Sequence, residues 1–155
     1  MLKKLKPYVI SVAIALGVGA LASLVTKNSM DIYQRINMPP LSPPGVLFPI
    51  VWTILYILMG VSSARIYLTE KSEKRYEALK IYVLQLAINF LWSPVFFNLE
   101  AYLLALALII ILWVLILGMI KRFSDIVPWA GYLQIPYFLW VTFATYLNLM
   151  IYILN

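Results

Sequence analysis

Aromatic side chains recur at helical spacing early in the sequence, where they could bind a flat molecule. Phe48, Trp52 and Tyr56 are each four residues apart, so on a helix they lie along one face. The rings of Trp and Tyr stack on flat ligands, and each ring carries one polar group. The stripe therefore indicates either a binding surface for a mostly apolar molecule or packing against neighbouring helices.

A second stripe combines amides with aromatic rings. Gln85, Asn89, Trp92, Ser93 and Phe96 are spaced at i, i+4, i+7, i+8 and i+11, which again places them along one helix face. An amide that faces apolar surroundings leaves its polar groups unpaired at a cost of several kcal/mol. We therefore expect the amides to face the interior of a bundle, where they either bridge helices or line a cavity.

A third stripe lies near the end of the chain. Trp140 and Phe143 share one face of a predicted helix, and Ala144 and Asn148 lie on its flank. From the helical rise per residue, members of all three stripes lie roughly 9 to 18 Å from the same end of the bundle. Because side chains at similar depth can share a site, the stripes are predicted to line one cavity.

A proline-rich segment precedes the first stripe. Four prolines fall between Pro39 and Pro44, and proline fixes φ and removes a backbone donor, so this segment cannot be helical. It enters from the same end as the three stripes. Residues 27–45 are therefore predicted to form a lid over the cavity, and the alternative is that the prolines only interrupt a loop.

Two residue types that commonly carry catalysis or bind metals, Cys and His, are missing from the sequence. They are the usual ligands of zinc, copper and haem iron. The apolar runs also contain no nucleophile paired with a base and no pair of carboxylates. We therefore expect no metal, no cofactor and no conventional catalytic site.

The elements that position the stripes are predicted to be membrane-spanning helices. The 155 residues are 64% hydrophobic and only 12% charged, whereas about a quarter of a soluble domain is charged. Crossing ~30 Å of hydrocarbon takes roughly 20 apolar residues of helix. The prediction is an all-α integral membrane protein, a single five-transmembrane-helix bundle over residues 1–155, with spans at residues 8–26, 46–68, 78–97, 101–120 and 129–154.

Two of these spans carry no candidate chemistry. In the first, Ala15, Gly19 and Ser23 repeat at four-residue spacing, which lets transmembrane helices approach closely. The fourth is mostly Leu, Ile and Ala and is predicted to be a lipid-facing wall.

The charged residues predict an orientation. Ten Lys and Arg residues lie near one set of span ends, against Lys27 and Arg35 at the other. By the positive-inside rule, the N-terminus is cytoplasmic, whereas the lid and the C-terminus lie outside the cell membrane. The net charge of +6 thus sets orientation, and nucleic acid is not an expected partner. The ten are Lys3, Lys4, Lys6, Arg65, Lys71, Lys74, Arg75, Lys80, Lys121 and Arg122.

Three motifs, in this order, resemble the translocator protein family (TspO/MBR, the peripheral benzodiazepine receptor family). They are Ser-Pro-Pro-Gly at 42–45 with Phe-Pro-Ile-Val-Trp at 48–52, Asn-Phe-Leu-Trp-Ser at 89–93, and Pro-Tyr at 136–137 with Trp140. The resemblance implies a five-helix bundle, often dimeric. It also implies that porphyrins, related tetrapyrroles and synthetic isoquinoline or benzodiazepine ligands bind in a pocket closed by the first loop.

The functions that the resemblance implies are of three kinds. The first is a membrane receptor or sensor for protoporphyrin IX and related tetrapyrroles. The others are light-dependent porphyrin degradation, with Trp52 and Trp140 implicated, and passive tetrapyrrole transport. Sterol binding is not implied, because the basic residue that the sterol pattern needs after Tyr152 is missing.

Expected partners are a small hydrophobic ligand, membrane lipid and, as an open alternative, a second copy of the chain. The stripes, the lid and the resemblance together predict the ligand-binding residues. These are Pro44, Phe48, Trp52, Tyr56, Asn89, Trp92, Phe96, Trp140, Phe143, Ala144 and Asn148.

Overall fold

The computed structural model describes residues 2–29, 31 and 35–155. Five of its helical stretches are long and apolar enough to cross a membrane. The predicted all-α bundle of five transmembrane helices is therefore confirmed, and the chain is a multi-pass membrane protein. Its helices are α1 (Leu2–Thr26), α2 (Leu47–Tyr67), α3 (Glu73–Ser93), α4 (Tyr102–Ile126), α5 (Pro128–Tyr132) and α6 (Ile135–Leu154).

Two short segments extend these helices. A 3₁₀ turn, Lys27–Ser29, follows α1, and a π-helical turn, Pro94–Asn98, continues α3. The fifth span is made of α5 and α6 together. We call the end of the bundle that carries residues 27–45 the lid end and the opposite end, which holds ten of the Lys and Arg residues, the basic end.

The third helix begins earlier than its apolar run, because a polar residue caps it. Ser72 is extended, and its side chain accepts a hydrogen bond from the backbone N–H of Arg75. This is the usual N-cap geometry, which satisfies a backbone donor that the helix itself leaves free. As a result, α3 starts at Glu73, five residues before the predicted apolar run, and its first turns are polar.

Helices α1 and α2 pack closely in the half of the bundle toward the basic end. A Cβ atom added at Gly60 would lie 2.5 Å from the Cα of Val12, so only glycine fits this approach of the two backbones. Nearby, the hydroxyl oxygens of Ser11 and Ser63 are 2.7 Å apart. Small residues and interhelical hydrogen bonds are how membrane helices associate where lipid offers no hydrophobic driving force.

Helix α4 lies against α3 on one side and against α5 and α6 on the other. One of its faces is fully buried, so the prediction of a purely lipid-facing wall is wrong for that face. The opposite face exposes Leu103, Ile110 and Leu117, as predicted for a wall against lipid. The buried face consists of Ala105, Ile109, Leu112, Ile116, Met119 and Phe123.

Candidate functional site

A cavity of about 540 Å³ opens at the lid end between α1, α2, α3 and α6. Ligand pockets for small organic molecules commonly measure about 300 to 1,000 Å³, so this cavity is large enough for one. None of its described lining residues is charged. They are Gly19, Ala22, Ser23, Thr26, Gly45, Phe48, Pro49, Trp52, Tyr56, Asn89, Trp92, Ser93, Phe97, Trp140 and Ala144.

Aromatic rings from α2 and α6 form one wall of the cavity. The rings of Phe48 and Trp140 meet edge to face, with centroids 5.6 Å apart. Trp52 contacts Tyr56 at 5.6 Å and Tyr137 at 6.2 Å. The four-residue spacing on α2 therefore does bring its rings onto one face, and these rings meet those of α6.

A chain of buried hydrogen bonds closes the cavity toward the middle of the bundle. The Tyr56 hydroxyl donates to Asn89 Oδ1 at 2.7 Å, and Asn89 Nδ2 donates to the Tyr137 hydroxyl, also at 2.7 Å. The Tyr137 hydroxyl in turn donates to Gln85 Oε1 at 2.6 Å. We call Tyr56, Asn89, Tyr137 and Gln85 the polar relay. Asn89 thus bridges three helices and also lines the cavity. The sequence had left these two roles as alternatives.

The Trp140 ring lines the cavity, and its indole N–H is a buried donor without a partner among the described residues. Trp92 differs, because its Nε1 donates to Asn148 Oδ1 at 2.9 Å. A buried N–H without a partner costs about 1 to 3 kcal/mol.

The structure brings seven of the predicted residues together around the cavity. These side chains come from α2, α3 and α6, as the three stripes predicted. The structure shows that these side chains line the cavity. Their contact with a ligand stays a prediction. The seven are Phe48, Trp52, Tyr56, Asn89, Trp92, Trp140 and Ala144.

Two other residues that were predicted to bind ligand, one on α6 and one in the lid, do not line the cavity. Phe143 lies in a shallow apolar groove on the outside of the bundle, beside Val51 and Pro136. Pro44 is exposed, and its neighbour Gly45 lines the cavity in its place.

Asn148 does not line the cavity because its amide is already in use. Its Oδ1 accepts from Trp92, and its Nδ2 donates to the backbone carbonyl of Tyr102 at 2.9 Å. It therefore acts on the cavity indirectly, by holding the Trp92 ring in place between α3, α4 and α6.

Phe96 is displaced from the cavity by the π-helical turn. An i→i+5 hydrogen-bonding pattern needs more residues per turn than an α-helix, and Leu99 N donates to Pro94 O at 3.0 Å in this pattern. The rotation moves Phe97 onto the cavity face. Phe96 instead packs against Phe97 and Tyr102, with ring centroids 4.9 and 5.2 Å away.

Helix α1 supplies part of the cavity that the stripes did not predict. Gly19, Ala22, Ser23 and Thr26 line it, and a Cβ at Gly19 would come within 2.6 Å of the Tyr56 ring. The sequence did carry a signal, since small residues repeat along this helix. Such a repeat indicates close helix packing, and in this bundle it also leaves space for the cavity.

The lid segment is tied to the end of α6. Asn155 Oδ1 accepts from the backbone N–H of Asn37, and Asn155 Nδ2 donates to the Asn37 carbonyl, both at 3.1 Å. Tyr146 donates to the Pro40 carbonyl at 2.9 Å. The described part of the predicted lid is thus held to the helix that carries Trp140, whereas residues 30 and 32–34 of that lid lie outside the described residues.

An ion-pair cluster lies on the same end. Arg35 pairs with Asp31 and with Glu100, each at 3.1 Å, and the Asp31 carboxylate, followed by that of Glu100, raises the pKa of the Arg35 guanidinium. Glu100 adopts a positive φ of 50°, which is uncommon for a residue other than glycine. These exposed pairs contribute little to stability individually, but they connect the lid segment to the loop before α4.

Among the described residues, no cluster of His, Cys, Asp or Glu could hold a metal ion. The described lining of the cavity offers ring faces and the neutral polar side chains of Tyr56, Asn89 and Ser93, and it contains no ionised group. Such a site can stack and hydrogen-bond a neutral, flat molecule. The described lining contains no His, Cys, Asp, Glu or Lys side chain.

Comparisons with known proteins agree with this architecture. A sequence profile described as the TspO/MBR family matches residues 10–154. The chain is 40% identical over 116 residues to the tryptophan-rich sensory protein of Cereibacter sphaeroides, covering 75% of this chain and 72% of the relative. It is 34% identical to the tryptophan-rich protein TspO of Chlorobaculum tepidum over 100% of this chain and 99% of that protein. Protein CrtK of Rhodobacter capsulatus is also 34% identical, over 79% and 78% of the two chains.

Proposed function

Because the chain belongs to the TspO/MBR family, we propose that it is a membrane receptor or sensor that binds tetrapyrroles and other flat hydrophobic ligands. The proposed site is the cavity at the lid end. The observation that carries the proposal is that this cavity, of about 540 Å³, combines aromatic walls with a few neutral polar atoms. The name of one relative, a tryptophan-rich sensory protein, supports a role in sensing.

The chemistry of the cavity favours a ligand of this class. An apolar molecule is already dissolved in lipid, so burying it in the bundle gains little from the hydrophobic effect. Affinity must therefore come from stacking and hydrogen bonds. The rings of Trp52 and Trp140 supply the stacking, and polar side chains that line the cavity, among them Asn89 and Ser93, supply hydrogen bonds to a nitrogen or oxygen of the ligand.

Ligand carboxylates would find cations only at the lid end. Among the described residues there, Lys27 is exposed and makes no ion pair, whereas Arg35 is already paired with Asp31 and Glu100. The acidic side chains of a porphyrin would thus extend from the cavity toward Lys27. This arrangement favours a ligand with an apolar ring system and polar groups at one edge.

The orientation belongs to the proposal as well. With the basic end in the cytoplasm, the cavity and the lid face the outside of the cell membrane, and so does the C-terminus. The ligand would then be taken up from the outer leaflet or from the medium outside it.

Titration with protoporphyrin IX, followed by tryptophan fluorescence quenching on the purified full-length protein, tests the binding site. We expect Trp140→Ala to weaken binding at least about tenfold, which corresponds to about 1.4 kcal/mol, because it removes a stacking face. Trp113→Ala is the matched control, since Trp113 is on α4 and donates to Thr142, away from the cavity. Equal affinities in the two variants would exclude the proposed site.

Light-dependent porphyrin degradation is a second candidate function. It is favoured by the position of Trp52 and Trp140, whose rings both line the cavity and could exchange an electron with an excited porphyrin. We expect Trp52→Phe and Trp140→Phe to retain the ring packing but to slow product formation under illumination. Unchanged product formation in both variants would show that these residues are not the reactive groups.

Passive transport of the same ligand is a third candidate. It would use the same cavity and would need no ion gradient, because the lining residues that the structure describes carry no ionised group. Flux of protoporphyrin IX into liposomes that is independent of a pH gradient would support it.

A further inference from the structure

Gly19 on α1 lies directly against the edge of the Tyr56 ring. A Cβ atom added at Gly19 would lie 2.6 Å from Cε2 of that ring, 2.8 Å from Cδ2 and 3.3 Å from Cζ. Carbon atoms in contact are normally about 3.5 to 4.0 Å apart, so even a methyl group does not fit between α1 and the ring. Both residues line the ligand cavity, and the contact between them therefore belongs to its wall.

The surroundings of Gly19 differ from those of the other glycines in α1 and α2. At Gly60, an added Cβ would meet the Cα and the backbone nitrogen of Val12, so that glycine serves the packing of α1 on α2. At Gly17, two residues before Gly19 on α1, an added Cβ would have no atom within 4 Å. At Gly19 the three nearest atoms all belong to the Tyr56 ring. The missing side chain at Gly19 thus makes room for a ring and not for a helix backbone.

The Tyr56 ring is held in place by contacts on its other sides. Its hydroxyl donates to Asn89 Oδ1 at 2.7 Å, and its ring contacts that of Trp52, with centroids 5.6 Å apart. Asn89 is fixed in turn, because its Nδ2 donates to the Tyr137 hydroxyl. Displacing the Tyr56 ring from α1 would therefore disturb the bond to Asn89 or shift Trp52, and both of these residues line the cavity.

We propose that Gly19 is a positioning residue for the ligand site. Because α1 has no side chain at this point, the Tyr56 ring packs on the α1 backbone, and its hydroxyl lies within hydrogen-bond reach of Asn89. The same absence leaves the space in front of Gly19 to the ligand. The effect on ligand binding rests on the proposed function, whereas the positioning of Tyr56 by Gly19 does not.

A single methyl group at position 19 would act on the cavity in two ways. It would occupy space at the lining itself, and it would displace the Tyr56 ring, so that Asn89 Oδ1 loses its donor. A buried acceptor without a partner is unfavourable. The cavity would therefore become smaller, and its inner end, where the polar relay closes it, would lose a hydrogen bond.

Gly19→Ala and Gly17→Ala form a matched pair that tests the effect on binding. Both replace glycine by alanine within α1, so both gain helix propensity to the same degree, and only the first places a methyl group against Tyr56. Titration of the purified full-length proteins with protoporphyrin IX, followed by tryptophan quenching, should give about fivefold weaker binding for Gly19→Ala, as expected for the loss of one hydrogen bond. Gly17→Ala should bind within about twofold of the wild type.

Thermal unfolding without ligand tests the positioning of Tyr56 by itself. We expect the midpoint of Gly19→Ala to lie about 3 °C or more below that of Gly17→Ala. In a Tyr56→Leu background, which removes the ring, the substitution at position 19 should lose most of this effect, because the two residues then no longer interact. A failure of Gly19→Ala to fold that Tyr56→Leu corrects would support the same contact.

Two results would overturn the proposal. One is equal porphyrin affinity in Gly19→Ala and Gly17→Ala while Trp140→Ala weakens binding, which would keep the cavity as the ligand site but remove Gly19 from the residues that shape it. The other is a midpoint for Gly19→Ala no lower than that of Gly17→Ala, a comparison that needs no Tyr56 variant to fold. If Trp140→Ala also leaves binding unchanged, the proposed function fails together with the effect of Gly19 on ligand, and the thermal comparison still decides whether Gly19 positions Tyr56.

Discussion

Replacing Asn155 by alanine should loosen the lid without abolishing binding. The substitution removes two hydrogen bonds between the Asn155 side chain and the Asn37 backbone, both at 3.1 Å and exposed. Exposed bonds of this kind contribute at the low end of the usual range, about 0.5 kcal/mol each. Their sum of about 1 kcal/mol corresponds to an increase of about fivefold in the open population of the lid.

The kinetic signature of this change is specific. If ligand enters and leaves beneath the lid, the association and dissociation rates both rise about fivefold, while Kd changes by less than about twofold because the closed state remains dominant. Stopped-flow tryptophan fluorescence with protoporphyrin IX measures both rates. Asn28→Ala is the matched control, since the Asn28 side chain makes no hydrogen bond within the described residues.

Unchanged rates in Asn155→Ala would refute the reasoning, because they would mean that this contact does not hold the lid or that ligand takes another route. A large rise in Kd with an unchanged dissociation rate would also contradict it. That result would place Asn155 in the binding site, where the structure does not put it.

Three further substitutions have defined outcomes. Asn89→Leu interrupts the polar relay and leaves the buried Tyr56 hydroxyl without its acceptor, so thermal unfolding should report a loss of about 1 to 3 kcal/mol; an unchanged midpoint would argue against the relay. Gly60→Val forces its side chain into the backbone of Val12, and we expect poor yield of folded protein by size-exclusion chromatography, with near-normal yield counting against the close approach. Ala144→Phe fills cavity space at a residue that lines it, and protoporphyrin titration should show at least about tenfold weaker binding with the fold intact by circular dichroism.

The sequence was most informative where polar or aromatic residues recur within apolar helices. An amide such as Asn89 is costly against lipid, so its position alone predicted an interior face, and the hydrogen bonds to Tyr56 and Tyr137 have this origin. The fold class followed from composition and run length for the same reason, since a membrane limits the possible spanning structures.

The sequence was least informative where lipid and protein interior have the same chemistry. On α4, Leu112 is buried and Leu103 is exposed, yet both are surrounded by apolar groups, so no pattern of polarity distinguishes the two faces. The sequence could not predict either that Phe97 rather than Phe96 lines the cavity. Helical periodicity assumes 3.6 residues per turn, and the π-helical turn at Pro94–Asn98 departs from it.

The contribution of α1 to the cavity determines how the site can accommodate molecules of different size. Gly19 and Ala22 present backbone and a single methyl group, which have no alternative rotamers, so this side is a fixed boundary. Tolerance for a bulkier guest must therefore reside in the larger side chains around the rest of the cavity, which include rings from α2, α3 and α6 and can reorient about their χ angles. Size selectivity is thereby divided between one rigid surface and one adjustable surface.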